Sequence, residues 1–355
     1  MTDTASNLVP VFDGHNDTLL SLERRSQTPK ERSFFEEASY DHIDLPRARK
    51  GGFAGGLFAM FTPSVRAKPK EGEEVDFKSP EHFKTVPQKE ALDYTLKLLD
   101  IAEDLEAKGD GAVKICRSTS AIKEAMDADQ LAMVLHVEGA ECIDKDFEAL
   151  ELLYKRGLRS IGPVWSRETI FGYGVPMEFE HSPDIGPGLT ETGKELVRQC
   201  NQRGIQLDVS HLNEKGFWDL AKITDKPIVA SHSNVFKICP MSRNLTDKQL
   251  DAIAESKGLV GINFAVFFLR PDGQLNPDMP LDVILRHADY LINKLGEDGV
   301  ALGSDYDGCL VANDIRDVAG LPNLINAFRK ADFGEELIAK IAHKNWISVL
   351  ERAGI

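Results

Sequence analysis

The chain has 355 residues, of which 42% are hydrophobic, with a formal net charge of -15 and a pI near 5.1. A chain of this length buries a large core, and single α/β barrels reach this size, so we predict one domain over residues 1–355. The negative charge argues against a general binder of nucleic acid or of membrane surfaces, because either function needs a basic face.

Targeting signals and cysteines indicate the compartment. No apolar run approaches the ~20 residues that span a bilayer, and the N-terminus MTDTASNLVPVFDGHND lacks the basic and then apolar regions of a secretory signal. The five cysteines are an odd number, widely spaced and without a CxxC pair. This pattern is typical of reduced thiols. We therefore expect a cytoplasmic protein.

Apolar, β-rich runs recur along the chain, and each ends in polar or glycine residues. Eight of them are candidate strands, at 8–17, 53–61, 131–139, 158–166, 205–211, 227–233, 259–265 and 300–308. Amphipathic stretches such as 88–108, 190–203 and 281–295 lie between them and predict helices. Continuous apolar strands alternating with helices indicate a parallel sheet. Eight such units predict the α/β class and a closed (β/α)₈ TIM barrel.

Two long segments follow candidate strands. Residues 62–87 are charged and contain proline, and residues 166–189 are rich in glycine and proline. In a barrel both would lie at the C-terminal rim and could cover an active site. For 62–87 an ordinary surface insertion is an equally good interpretation.

Potential metal ligands stand at the ends of five candidate strands. The positions are His15 and Asp17, Glu138, His211, His232 and Asp305. A barrel gathers the C-terminal ends of its strands around one axis, so these residues should converge. Positions i and i+2 of a strand face the same way, so the first two can reach one metal ion. Imidazoles with carboxylates suit zinc, and a shared carboxylate can bridge two ions.

The motifs around these residues follow one another in a recognisable order. They are DGHND (13–17), DLPRARKGGFAGGLFAMF (44–61), HVEGAE (136–141), GLTETGKELVRQCNQRGIQLDVSH (188–211), IVASHSNVFKICPMSRN (228–244) and GSDYDG (303–308). Together they resemble the renal, or membrane, dipeptidase family over nearly the whole chain. The resemblance implies a (β/α)₈ barrel with two zinc ions per chain at the strand ends, and a small dipeptide-like substrate.

The resemblance also implies a set of metal ligands. His15 and Asp17 would hold the first zinc ion, and His211 and His232 the second. Glu138 would bridge both ions together with a water or hydroxide. Two zinc ions that share a water lower its pKa enough to supply hydroxide near neutral pH, and this hydroxide would attack the amide carbonyl.

Two further residues receive roles in the reaction from the same resemblance. Asp305 would handle the proton, taking it from the water and returning it to the leaving amine. Arg243 would bind the terminal carboxylate of the substrate, whose two oxygens match a guanidinium fork. On spacing alone Asp307 is an alternative to Asp305, because both would face the same way.

The chain departs from the family at the end of the fourth strand. Where the family has a histidine that binds the substrate carbonyl, this sequence has Trp165. An indole donates one hydrogen bond but carries no charge. Trp165 therefore either replaces the donor or walls the pocket, and Arg167 or His181 could supply a donor instead. We expect Trp165 and Arg167 to bind substrate, and we expect His136 to pack in the core layer below the site.

Three functions remain open at this stage. The first is a zinc dipeptidase for short peptides, with a C-terminal D-residue tolerated. The second is a binuclear zinc amidohydrolase for another small amide, such as an N-acyl amino acid or a lactam. The third, motivated by Trp165, is a catalytically impaired binding homologue. Each of them is compatible with a homodimer, and none involves a nucleic acid or a membrane.

Overall fold

The computed structural model describes residues 8–64 and 79–355. The strands in these ranges are β1 (Val11–Asn16), β2 (Phe53–Phe61), β3 (Val113–Ile115), β4 (Leu131–Glu138), β5 (Leu158–Gly162), β6 (Gln206–Leu207), β7 (Val229–Ala230), β8 (Leu259–Ile262) and β9 (Val300–Leu302). All eight candidate strands are present. Strand β3 was not predicted, because it is too short for an apolar pattern to be recognised.

The strands pair in parallel and close into a barrel. One sheet has the order β1-β2-β4-β5-β6, and a second has the order β7-β8-β9. Single parallel bridges join the two sheets at both edges, between Asp208 and Val229 and between Asn16 and Tyr306. Within the described ranges, eight parallel strands thus form a ring, while β3 pairs only with the start of β4. The predicted α/β barrel is confirmed.

Helices cover the outside of this ring. They are α1 (Thr18–Arg25), α2 (Leu45–Gly51), α3 (Gln88–Lys108), α4 (Thr119–Asp127), α5 (Glu148–Arg156), α6 (Glu191–Arg203), α7 (Glu214–Ile223), α8 (Asp247–Glu255), α9 (Val266–Leu269), α10 (Asp282–Leu295), α11 (Leu321–Lys330), α12 (Glu335–Ala339) and α13 (Asn345–Ala353). In the part of the chain that the structure describes, none is long and apolar enough to cross a membrane.

Burial on both faces explains why the strands appear in the sequence as continuous apolar runs. Every residue of β4 is buried, because one face meets the barrel interior and the other meets the helices. Helix α6 shows typical start and stop residues. The Thr190 hydroxyl accepts a hydrogen bond from the Gly193 amide at the start of α6, and Gly204 ends that helix with φ +66°.

The segment 166–189 lies beside the strand ends. Single bridges connect Gly174 with Leu212 and Phe179 with Met241, and the Val175 amide donates to the His211 carbonyl. Of the segment 62–87, residues 65–78 lie outside the described residues. The described part includes a 3₁₀ turn over Pro80–Phe83.

Candidate active site

The first predicted ligand pair lies where β1 passes into α1. His15 Nε2 is 3.6 Å from Asp17 Oδ2 and 3.7 Å from Glu138 Oε1. Asp17 occupies the N-cap position of α1, but its carboxylate accepts no capping hydrogen bond. Both ring nitrogens of His15 and Oδ1 of Asp17 are buried and have no hydrogen-bond partner among the described residues. These polar atoms are therefore available to a ligand.

The second pair follows β6 and β7. His211 Nε2 and His232 Nε2 lie 3.1 Å apart, at 2.9 Å and 3.4 Å from Glu138 Oε1. Glu138 is the last residue of β4, and its Oε1 lies within 3.7 Å of Nε2 of His15, His211 and His232. Burial lowers the pKa of both His211 and His232 well below 6.5. Both imidazoles are therefore neutral, and this is the form that binds metal.

Hydroxyl groups hold the outer nitrogens of these imidazoles. Ser166 Oγ lies 2.8 Å from His211 Nδ1, and Ser231 Oγ lies 2.7 Å from His232 Nδ1. Ser231 in turn donates to Asp208 Oδ2 at 2.5 Å. Such partners orient metal-binding imidazoles and set their tautomers. Sequence reasoning missed all three residues, although Ser231 directly precedes His232 and Asp208 stands three positions before His211.

Burial and charge shift the pKa values of the acids and the imidazole of the first pair. Burial raises the pKa of Glu138 to about 8, and the carboxylates of Asp17 and Asp305 add to this shift. Burial likewise raises the pKa of Asp305 to about 6. Burial alone would lower the pKa of His15, but the surrounding carboxylates outweigh it and raise this pKa to about 10. The cluster therefore gathers buried carboxyl groups whose ionised forms a bound cation would stabilise.

The donor set and its spacing fit zinc. Ligand atoms about 2.1 Å from one zinc ion lie roughly 3.4 Å apart in tetrahedral geometry, and the distances above range from 2.9 to 3.7 Å. One ligand atom each from His15, Glu138 and His232 lies within 4.8 Å of the others, and the same holds for His15, Asp17 and Asp305. Nitrogen and carboxylate oxygen are ligands that zinc accepts.

Gly308 keeps space open beside the first pair. A Cβ added there would stand 2.2 Å from Asp17 Oδ2 and 2.6 Å from Asp305 Oδ1. We expect Gly308→Ala to lower metal affinity by at least about tenfold, because it displaces these carboxylates. Gly334→Ala is the control, since its Cβ would meet no atom within 4 Å. Chelator competition measures the affinity, and equal affinities in the two variants would contradict the expectation.

Asp305 and Asp307 have different surroundings despite their even spacing. Asp305 Oδ2 accepts a hydrogen bond from Asn263 Nδ2 at 2.8 Å, and its backbone takes φ +60°. Asp307 instead accepts from the His42 amide at 2.5 Å and from the Thr18 hydroxyl at 3.2 Å. Asp305 therefore lies beside His15 and Asp17. Asp307 instead fixes the loop that contains His42.

Arg243 is buried against the second pair. Its Nη1 donates to Ser233 Oγ at 2.9 Å and its Nη2 to the His232 carbonyl at 3.0 Å. Its Nε lies 3.1 Å from His211 Nδ1. Burial lowers its pKa to about 10 despite the nearby Asp305, so the guanidinium remains charged at neutral pH.

The aromatic ring of Trp165 forms one side of the site. It stacks on Phe83 with ring centroids 5.3 Å apart, lies 5.0 Å from Phe61 and is 5.8 Å from the ring of His211. Trp165 is partly buried. An apolar wall therefore stands directly beside a predicted metal ligand.

Arg167 has partners that the sequence analysis did not foresee. Its Nε donates to Glu141 Oε1 at 2.5 Å, its Nη1 to Ser64 Oγ at 3.0 Å and its Nη2 to the Thr62 carbonyl at 2.6 Å. The side chain is fully buried. These contacts favour a role in holding the rim together over the expected contact with substrate. His181, the other candidate donor, is half-exposed and lies near Glu178.

The fold and the cluster together are typical of one class of protein, the barrel metallohydrolases: a barrel with candidate metal ligands at the strand ends. The family model for membrane dipeptidase, peptidase family M19, matches residues 4–354. The chain therefore belongs to the membrane dipeptidase family and is a metallopeptidase.

Similar proteins agree with this assignment. A metallo peptidase from Rhodobacter sphaeroides, solved with a phosphinate mimic of the dipeptide L-Ala-D-Ala, is 42% identical with a TM-score of 0.90, and the match covers 98% of this chain and 100% of that one. Dipeptidase AC, a family M19 metallo peptidase, is 42% identical with a TM-score of 0.88, covering 98% and 99%. A protein in the PQQ-III 3′ region of Acinetobacter calcoaceticus is 43% identical over 295 residues, covering 81% of this chain and 90% of its own length.

Proposed function

We propose that this metallopeptidase is a zinc-dependent dipeptidase whose substrates include dipeptides with a C-terminal D-residue. The observation that carries the proposal is the cluster at Glu138, where three imidazoles lie within 3.7 Å of one carboxylate oxygen. The dipeptide mimic bound to the Rhodobacter sphaeroides relative supports the substrate class.

The ligands would divide between two zinc ions. His15 and Asp17 would hold the first ion, His211 and His232 would hold the second, and Glu138 would serve both. Such a pair of ions acidifies a water molecule and polarises the amide carbonyl. The buried, unpartnered nitrogens of His15 and the mutual distances of the other ligands support this division.

Asp305 would carry the proton between water and leaving amine. Asn263 holds one of its carboxylate oxygens and leaves the other free on the side of Asp17. Burial raises the pKa of Asp305 to about 6, which is closer to the operating pH than that of an exposed aspartate. A side chain that transfers protons works best when its pKa lies near the operating pH.

Arg243 would bind the terminal carboxylate of the substrate. A metal on His211 Nε2 leaves a proton on Nδ1, and that proton is donated to Ser166 Oγ. Arg243 Nε then loses its acceptor and becomes available to the substrate. Trp165 would close the adjacent side of the pocket, and Arg167 would keep the rim in place.

Replacing Arg243 by lysine tests the carboxylate contact. Lysine keeps the charge but loses the planar fork, so Arg243→Lys should raise KM for dipeptides by about 10- to 100-fold, the value of a hydrogen bond to a charged group. Dipeptide amides, which lack the carboxylate, should show little change and serve as the control substrate. An equal loss on both substrates would contradict this role.

The aromatic wall favours one second candidate. Phe61, Trp165 and Phe83 form an apolar surface beside the site, and such a surface would accept the acyl chain of an N-acyl amino acid. This substrate also carries a carboxylate for Arg243. An assay panel of dipeptides, N-acyl amino acids and lactams distinguishes it from a dipeptidase and also detects an impaired homologue, which would turn over none of them.

Chelation tests the proposed function itself. We expect the purified protein to hydrolyse dipeptides, to lose this activity on complete metal removal and to regain it when zinc is added. Activity that survives full removal of zinc would refute the proposal. Metal content should be measured on the same samples, so that incomplete chelation is recognised.

We also propose that residues 1–355 act as one cytoplasmic domain. All five cysteines are free in the structure, and Cys116, Cys142, Cys200 and Cys239 are buried. Unpaired thiols are typical of a reducing compartment. Sedimentation analysis would decide between a monomer and a homodimer.

A further inference from the structure

Below the ligand cluster, polar atoms converge inside the barrel. His136 on β4, His15 on β1 and Asp208 after β6 each offer one ligand atom, and these atoms lie within 4.8 Å of one another. His136 Nε2 is 3.7 Å from Asp208 Oδ2, which is too far for a direct hydrogen bond. His136 Nε2 and both nitrogens of His15 are buried without a hydrogen-bond partner among the described residues.

Neighbouring side chains define the tautomer of His136. Ser160 Oγ donates to Gln206 Oε1 at 2.5 Å, so its proton is already used. Ser160 Oγ also lies 2.8 Å from His136 Nδ1. With the Gln206 amide oxygen turned toward Ser160, the hydroxyl accepts from His136, which places a proton on Nδ1. His136 Nε2 therefore presents a lone pair and needs a donor.

His15 and Asp208 can each make one further hydrogen bond in the interior. His15 Nε2 faces the carboxylates of Asp17 and Glu138, which leaves Nδ1 for the interior. Asp208 Oδ2 accepts one hydrogen bond from Ser231 and can accept another. These three residues thus supply one donor, His15 Nδ1, and two acceptors.

We propose that one ordered water molecule bridges His15 Nδ1, His136 Nε2 and Asp208 Oδ2, and that His136 is a positioning residue for the first metal. The water accepts a hydrogen bond from His15 and donates one each to His136 and Asp208, so each donor is matched with an acceptor. A water with hydrogen bonds of about 2.8 Å reaches groups up to roughly 5 Å apart. The ligand atoms of these three residues lie within 4.8 Å of one another, and His136 Nε2 is 3.7 Å from Asp208 Oδ2. Buried waters typically make about three such bonds to otherwise unsatisfied groups.

The consequence is a defined tautomer of His15. When a metal displaces the proton of Nε2, the proton on Nδ1 stays held by the water, and the Nε2 lone pair points toward Asp17 and Glu138, where that metal would bind. This part rests on the proposed function, since it takes His15 as a ligand. A metal ion in place of the water would require His15 to bind two ions at once, one through each nitrogen. A water requires only a hydrogen bond from Nδ1.

A crystal structure of the metal-free protein at high resolution tests the water directly. We expect a single peak without anomalous signal, within hydrogen-bond distance of all three groups. A direct contact between His136 and Asp208 with no peak would overturn the proposal, and so would an anomalous peak after soaking in zinc. This result does not depend on whether the protein is a dipeptidase.

Variants test the positioning role. His136→Phe removes the acceptor for the water and should weaken binding of the first zinc ion by about 10- to 100-fold, as loss of an outer partner does. His136→Gln, whose amide oxygen can accept, should restore most of the affinity. His287→Phe is the control. Among the residues that the structure describes, this buried histidine bonds the Val235 amide and the Leu269 carbonyl, so its loss should change the melting temperature without changing zinc affinity.

The outcomes separate the two proposals. Equal zinc affinity in His136→Phe and in the unmodified protein would overturn the positioning role, as would equal losses in His136→Phe and His136→Gln. If His15→Ala leaves zinc binding unchanged, the proposed function fails at His15, whereas the water in the metal-free crystal would still stand.

Discussion

Replacing Glu138 by glutamine is expected to abolish dipeptidase activity by emptying the metal site. One oxygen of this carboxylate lies within 3.7 Å of Nε2 of His15, His211 and His232, so it is placed to serve both proposed ion positions. Loss of even an outer partner costs 10- to 100-fold in metal affinity, so loss of the bridging charge should cost more than about 100-fold. Metal content after dialysis and dipeptidase activity are the measurements.

Glu141→Gln is the matched control for this substitution. Glu141 is a buried carboxylate three residues further along, and its partner is Arg167. The control should lower the melting temperature, because it weakens a buried ion pair, and it should still bind metal. If the Glu138 variant kept its full metal content, the bridging role would be wrong.

Replacing Asp305 by asparagine is expected to lower kcat while the metal remains bound. Proton transfer by a positioned group contributes about 10²- to 10⁴-fold, and an amide cannot carry the proton. Asparagine is close in shape and tolerates the left-handed backbone at this position, where φ is +60°. Its amide oxygen can still accept from Asn263.

Asp307→Asn provides the comparison, because the two aspartates are equivalent by spacing alone. Asp307 holds the His42 amide and the Thr18 hydroxyl, so its substitution should affect stability more than kcat. Steady-state kinetics and bound metal should be measured for both variants. A larger kcat loss in the Asp307 variant would reverse the assignment of the proton carrier.

The barrel could be predicted because its strands are buried on both sides. Each strand then shows an apolar run, as β4 does: its eight residues are all buried, and all but His136 and Glu138 are apolar. The convergence of ligands followed from topology, since parallel strands place their C-terminal ends at one rim. His15, Glu138 and His232, which span more than 200 residues of sequence, form one cluster in the structure.

Other features depend on contacts that no local pattern reveals. Trp165 stacks on Phe83 from a different segment, and Arg167 bonds the Thr62 carbonyl 105 residues away. The Arg167 side chain is charged and close in sequence to Trp165, so a substrate contact was a reasonable expectation. Its burial against Glu141 became visible only in three dimensions.

The arrangement of hydroxyl partners was hidden for the same reason. Ser166, Ser231 and Asp208 hold the outer nitrogens of the imidazoles directly or in series. Serine is common in loops and has no periodic signal, so only adjacency to a histidine could have indicated a role. His136 was expected to be a core residue, and its burial is confirmed.

Anomalous diffraction from zinc-loaded crystals tests the central claim most directly. The account predicts two peaks per chain, one beside His15 and Asp17 and one beside His211 and His232, with Glu138 in contact with both. A single peak, or peaks away from these five residues, would contradict it.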